Sequence, residues 1–301
     1  KAVNALDDAS DRVLSCFARP ESPESNVRGL VIGHIQSGKT SNYTAVMAKA
    51  ADVGYKLFVV LSGIDNGLRS QTNRRLKHEL VGQVGMPGKC VPLPPLGKRW
   101  HEFTNVGEGA DFNPGAVSHG ALQGDQPVLI VAKKNGAVLR RLIKWLEEAP
   151  EDVRNNLPLC LIDDEADQAS IDTSGSHDAP LDSDATPSVI NGLVRRLLEL
   201  FSRRVYVAYT ATPFANVLIP ESATSASHGD DLYPRDFIIA LAKPPGYFGA
   251  EEFFGRMDGE TGSPDGGLDV FREVQDTDCT AIDMGVVPDS LKSAIVDFVL
   301  A

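Results

Sequence analysis

The stretch Gly29-Leu30-Val31-Ile32-Gly33-His34-Ile35-Gln36-Ser37-Gly38-Lys39-Thr40 decides the fold of this chain. A short apolar strand runs into Gly-x-x-x-x-Gly-Lys-Thr, and the segment Ser41 to Ala51 continues as a helix, which is the context a P-loop requires. Glycines let consecutive backbone N–H groups curl around a phosphate, and the helix N-terminus favours the anion. Gly33, Gln36, Ser37, Gly38, Lys39 and Thr40 are therefore the expected nucleotide-binding residues. Lys39 reaches the outer phosphates, and the Thr40 hydroxyl holds Mg²⁺. His34, inside the loop, is expected to be a variable position and not a base.

Around this loop the sequence alternates strands and helices. Leu57-Phe58-Val59-Val60-Leu61, Val128-Leu129-Ile130-Val131-Ala132 and Leu159-Cys160-Leu161-Ile162 are unbroken apolar runs. Such runs suit parallel strands buried on both faces. Val205 to Tyr209 and Phe237 to Leu241 add two more strands. Helices are expected over 1–19, Leu68–Leu76, Val138–Leu146 and Ile190–Phe201. The alternation predicts an α/β fold, and with the P-loop an NTPase lobe, whose mostly parallel sheet is sandwiched by helices and carries loop-rich insertions. Residues 82–125 and 170–188 are the insertions, dense in Gly and Pro or in Ser and Asp. Residues 1–24 are expected as an N-terminal helical extension, 25–242 as the lobe, and 243–301 as a loop-rich connection leading to a second lobe.

In parallel sheets ligands sit beyond the carboxyl ends of the strands. The run Leu159 to Ile162 ends there in Asp163-Asp164-Glu165-Ala166-Asp167. Asp164 is placed for Mg²⁺ and Glu165 to orient or deprotonate the attacking water, with Lys39 completing the catalytic set. An acidic end to a strand is also what a solvated sheet edge looks like, so the pair gains meaning from the P-loop upstream.

Asp164-Glu165-Ala166-Asp167 spells the DEAD motif of superfamily-two helicases, and Thr210-Ala211-Thr212 resembles their Ser-Ala-Thr motif. By that resemblance the chain is similar to the first RecA-like lobe of those enzymes, and Asp167, Thr210 and Thr212 couple the nucleotide to a substrate. Arg69, Gln71, Lys133, Lys134 and Asn135 fall where that family places contacts to a nucleic-acid backbone, a sequence-independent grip. A solvated helix face is the alternative for these basic residues. A closer match is to the bacterial Z-one domain family. It is carried by Gln36 to Thr40 with Asn42-Tyr43, by Ala51 to Tyr55, Leu68 to Thr72, Asp163 to Ser170, Tyr209 to Asn216 and Asp231 to Phe237. Members are helicase-like ATPases of defence or restriction-type systems, some labelled endonucleases, with MORC-type ATPases and nucleases as partners. The resemblance implies ATP and Mg²⁺ as cofactors and nucleic acid, DNA first, as partner. It implies roles for Phe214 and Asn216 in coupling. An arginine-bearing second lobe and an upstream adenine-reading glutamine motif are the parts of such enzymes that the sequence does not display.

Three functions remain open from the residues. A nucleic-acid-dependent ATPase, as motor or remodelling switch, leads. In an ATP-gated nuclease, cutting would be done elsewhere or by a partner, since no lysine here has Asp or Glu two positions before it. A nucleotide-gated scaffold is the third.

Bulk properties bound the rest. The 301 residues carry a formal net charge of −12, which argues against a uniformly basic coat but leaves room for a local basic face. Cys16, Cys90, Cys160 and Cys279 form no C-x-x-C pair, and no apolar run approaches the ~20 residues of a membrane span. A cytoplasmic protein without a membrane partner is expected. Lys1 opens the chain in place of Met and residues 289–301 read as a helix in progress, so a longer protein is expected. Trp100 is expected to anchor its loop, with base stacking as the alternative. His101, His119, His177 and His228 are expected to be solvated.

Overall fold

The computed structural model of the chain describes residues 2–35, 37–82, 99–105, 111–168, 187–218, 224–225, 229–244, 246–257, 259, 264–268 and 276–300. Helix α1 (Ala2–Leu14) precedes strand β1 (Ser25–Ile32), which delivers the P-loop to helix α2 (Lys39–Asp52). Then follow β2 (Leu57–Ser62), α3 (Asn66–Leu76) with a π-helical turn over Lys77–Val81, and the two-residue β3 (His101–Glu102). β4 (Val128–Lys133), α4 (Gly136–Glu147), α5 (Glu151–Asn155), β5 (Leu159–Asp164), α6 (Pro187–Glu199) and β6 (Arg203–Thr210) complete the alternation. After the short α7 (Phe214–Val217) come an antiparallel pair, β7 (Thr224–Ser225) with β8 (Gly229–Asp230), and the edge strand β9 (Phe237–Ala240).

Seven strands form one sheet in the order β3-β4-β2-β5-β6-β1-β9, and every pairing in it is parallel. This is the α/β fold with a parallel sheet that the alternation predicts, and the RecA-like lobe that the helicase resemblance implies. β6 lies between the P-loop strand β1 and the acidic strand β5, which spaces the two motifs one strand apart along the same rim. Successive side chains of a strand point to opposite faces. Val59, Leu61, Ile130, Leu159 and Leu161 accordingly pack under α4 and α6, while Phe58, Val60, Val131, Cys160 and Ile162 pack under α1, α2 and α3. Two cores, one per face, explain why the strands read as unbroken apolar runs.

Register depends on one glycine. A Cβ at Gly29 would lie 2.0 Å from the Phe237 ring, so β9 can seat its aromatic against β1 only where β1 has no side chain. The N-terminal extension packs on α2, where Lys49 pairs with Asp7 and Asp11 at 2.7 and 2.5 Å, and Tyr55 donates to the Ala18 carbonyl.

Within the expected insertion at 82–125, β3 and two 3-10 turns are ordered, and residues 83–98 and 106–110 lie outside the described residues. Most of the 170–188 loop lies outside them as well. Trp100 packs 4.8 Å from the Phe58 ring, the anchoring role. His119 corrects an expectation: it is stacked on Trp145 at 4.4 Å and bonded to its carbonyl, not solvated. His101 likewise sits half-buried in β3, while His177 and His228 are outside the described residues.

By compactness the chain divides into Lys1–Pro244 and Pro245–Ala301. The second unit holds α8 (Ala250–Phe254), an antiparallel pair of β10 (Arg256–Met257) with β11 (Pro264–Asp265), α9 (Asp276–Asp283) and α10 (Asp289–Leu300). Residues 243–288 thus contain more regular structure than their composition announces. Among the described residues no helix is long and apolar enough to cross a membrane.

Candidate nucleotide site

The P-loop backbone turns on its two glycines. Gly38, the N-cap of α2, has φ +94°, where a side chain is strained. A Cβ on Gly33 would lie 2.7 Å from Lys39 Cγ, so this glycine leaves the slot in which the lysine stem runs. The loop is braced internally, with the Ser37 hydroxyl donating to the His34 carbonyl at 2.7 Å. Gln36 lies outside the described residues.

Lys39 and Glu165 meet. The ammonium is 3.9 Å from Glu165 Oε1, and both line a cleft of about 730 Å³ together with Ser37, Gly38, Thr40 and Asp164. Tyr43, one helical turn after Lys39, shows how closely the metal candidates approach. Its buried hydroxyl donates to Asp164 Oδ2 at 3.0 Å and has the Thr40 and Thr72 hydroxyls beside it. Thr40 and Asp164 therefore share a neighbour. Their hard oxygen donors fit Mg²⁺, which takes few protein ligands alongside phosphate and water.

Burial, with the Glu165 charge next to it, pushes the Asp164 carboxyl up to about 6. The Tyr43 hydrogen bond and the Lys134 and Lys39 charges oppose that shift. Tyr43 itself is raised by burial and by Asp164, so it remains a neutral donor. Glu165 has φ 50° and is, among the described residues, the one non-glycine with positive φ. Holding a residue there costs of order 1–3 kcal/mol, and such strain collects at functional sites.

The residues expected to couple nucleotide to substrate form a compact knot. The Thr210 and Thr212 hydroxyls donate to the two oxygens of Asp167 at 2.8 and 2.7 Å, and the Thr212 amide donates to Thr210 Oγ1. Backbone bonds from Gly33 N to the Thr210 carbonyl and from Ala166 N to the Tyr209 carbonyl tie both motifs to β6. The Tyr209 hydroxyl donates to Asn42 on α2 at 2.9 Å. Asn216 is buried and Phe214 is exposed.

Of the set expected to grip nucleic acid, Arg69 and Lys134 are buried. Arg69 is 1% exposed, donating to the Asn105 carbonyl, because it shares the buried face of α3 with Asn73 and Leu76. Lys134 is internal and pairs with Asp163 at 2.7 Å. Asn135 is the N-cap of α4, accepting from the Ala137 and Val138 amides. Gln71 faces the nucleotide cleft, beside Thr72 and Arg75. Lys133 is half-buried and donates to Asn66 Oδ1.

Tyr43, Thr72 and Arg75 stand at the cleft with no role assigned from sequence, Tyr43 and Thr72 entering there only within the Z-one resemblance. Tyr43 had a usable signal, since the fourth residue after Lys39 lies on the same helix face. Arg75, which donates to Ser41 at 2.5 Å, had none apart from its helix.

No protein-family model and no curated protein matches the chain. Among solved structures, the Hef helicase domain of Pyrococcus furiosus is similar at 12% identity with a TM-score of 0.39, over 77% of this chain and 36% of that one. A nuclease-deletion mutant of the Type ISP restriction-modification enzyme LlaGI, in complex with a DNA substrate mimic, is similar at 15% identity with a TM-score of 0.41. That match covers 76% of this chain and 16% of the other, so the chain spans well under two thirds of either protein. Likenesses this remote concern chain path; what the site can do rests on this chain's own side chains.

Proposed function

We propose that this lobe is a nucleic-acid-dependent ATPase, a helicase-like motor or remodelling switch of the Z-one type serving a bacterial defence or restriction system. The supporting observation is the convergence of Lys39, Thr40, Asp164 and Glu165 on one cleft at the carboxyl rim of the sheet. P-loop amides and Lys39 hold the phosphates of ATP. Thr40 and Asp164 hold magnesium, which when bound supplies positive charge to the outer phosphates. Glu165 orients the attacking water and takes its proton. Asp167, joined to Thr210 and Thr212, passes the state of the cleft to β6 and the segment after it. Of the basic residues read from sequence, Lys133 is left to meet a nucleic-acid phosphate. MORC-type ATPases and nucleases are the proposed partners, in a cytoplasmic setting.

The test is the ATPase rate of the whole protein with and without DNA or RNA. Stimulation by one of them, abolished by Lys39→Ala, is expected. A rate indifferent to both nucleic acids removes the motor, and a rate indifferent to Lys39→Ala removes the site.

Asp164 predicts a pH dependence. Its folded value is raised above the ordinary carboxylate range near 3.9. The stability it contributes is therefore present below that range and lost as pH rises through about 6. Magnesium needs the carboxylate, so its binding runs the other way and weakens about tenfold per unit below that midpoint. The thermal stabilisation given by Mg-ATP is expected to grow between pH 5 and 7, by about the same linkage. Tyr43→Phe deletes a donor to the ionised form and should move the midpoint to higher pH. An unchanged midpoint in that variant would separate Tyr43 from the metal site.

A further inference from the structure

Lys134 occupies a position that suits neither a surface contact nor an ordinary structural ion pair. Its side chain and that of Asp163 are both fully buried, 2.7 Å apart. The other Asp163 oxygen accepts from the Tyr206 hydroxyl at 2.7 Å, so the carboxylate is held from both sides. A lysine ammonium has three donors. Besides the ion pair with Asp163, the ammonium donates to two backbone carbonyls: Glu165 O at 2.6 Å and Gln168 O at 3.1 Å.

Those carbonyls are the two ends of one turn. Gln168 N also bonds to the Glu165 carbonyl at 2.9 Å, closing the turn that begins at the residue with φ 50°. A glutamate does not keep a left-handed backbone unaided, and the surroundings must hold it there. The backbone of Lys134 is itself fixed, its amide donating to the Gly63 carbonyl and the next residue capping α4. A rigid element thus carries a buried cation to the strained turn.

We infer that Lys134 is a positioning residue: its ammonium, held by Asp163, staples the 165–168 turn in the one conformation that brings the Glu165 carboxylate to Lys39 in the nucleotide cleft. What Glu165 does there rests on the ATPase reading above. Why the fold spends a buried charge on this is a matter of geometry. One nitrogen reaches a carboxylate and two carbonyls at once, which no neutral side chain of that length does. Displacing a catalytic group by about 1 Å costs on the order of 100-fold in rate.

The variant to make in the whole protein is Lys134→Met with Asp163→Asn, which removes both charges together. Three quantities are measured: ATP affinity in the presence of magnesium, kcat, and hydrogen exchange at the Gln168 amide. ATP affinity is expected to stay within about threefold while kcat falls about 100-fold. Exchange at Gln168 is expected to accelerate at least about tenfold as the turn loosens. A merely structural pair would lower global stability and leave kcat of the folded fraction alone. A folded double variant with normal kcat therefore overturns the inference. Failure of the ATPase reading looks different: the unaltered protein would hydrolyse nothing, and the Gln168 amide would still decide whether the turn depends on Lys134. Should the double variant not fold, the unaltered protein answers directly. Hydrogen-bond couplings from the Lys134 nitrogen to the carbonyl carbons of Glu165 and Gln168 are expected in its NMR spectrum, and a freely rotating ammonium lacking both overturns the inference.

Discussion

Glu165→Gln is expected to bind ATP with magnesium at least as tightly as the unaltered protein and to turn it over roughly 10²–10⁴ times more slowly. The amide has the shape of the carboxylate and can still orient water, but it does not accept the proton. Binding has two reasons to improve. After burial, the Glu165 charge does most to push the Asp164 carboxyl up, so removing it frees the neighbouring carboxylate to ionise and take magnesium. It also releases the Lys39 ammonium, now 3.9 Å from Glu165 Oε1, to serve phosphate alone. Lys39→Ala works in the opposite sense: the P-loop keeps its amides and loses its one buried cation, and binding itself should fail. Equilibrium titration and single-turnover hydrolysis separate the two phenotypes. If Glu165→Gln hydrolyses ATP at the unaltered rate, Glu165 is not the base and the strained turn needs another explanation.

Those two residues were legible in the sequence because each belongs to a spaced motif at the end of an apolar run. The sheet was legible for the same reason: residues such as Val59 and Val60 pack on opposite faces, and a strand covered on both sides has no polar alternation to confuse. What failed was the carry-over from the helicase resemblance. It places Arg69 and Lys134 at a nucleic-acid backbone, and both that reading and its solvated-face alternative need them exposed, as Arg and Lys usually are. Their positions said otherwise: Arg69 stands four and seven residues before Asn73 and Leu76 on one helix face. A composition argument has no access to Asp163, whose carboxylate makes the burial of Lys134 tolerable. The partner of β9 was hidden too, because the vacancy that admits Phe237 is a glycine on a strand distant in sequence. In the second unit α8 is five residues long and α9 is acidic, too short or too polar to leave a periodic signal.

The largest effect on stability is expected from Lys134→Met alone. Asp163 is fully buried, and with the ammonium gone its carboxylate loses its ion-pair partner and keeps the Tyr206 hydroxyl as a donor. Breaking a buried pair from one side costs about 3–5 kcal/mol, since the remaining ion has neither water nor a counter-charge. For a unit of this size that amounts to roughly 10 °C in melting temperature. Asp163→Asn strands the cation instead, although the two carbonyls still accept from it, so its cost should be the smaller of the two. The double variant should recover much of the loss, and a thermal-melt cycle over the four proteins should show strong non-additivity. Additive effects would mean that Lys134 and Asp163 do not depend on each other. The ammonium would then be held by the turn carbonyls alone, and the link from the buried pair to Glu165 would be cut at its first step.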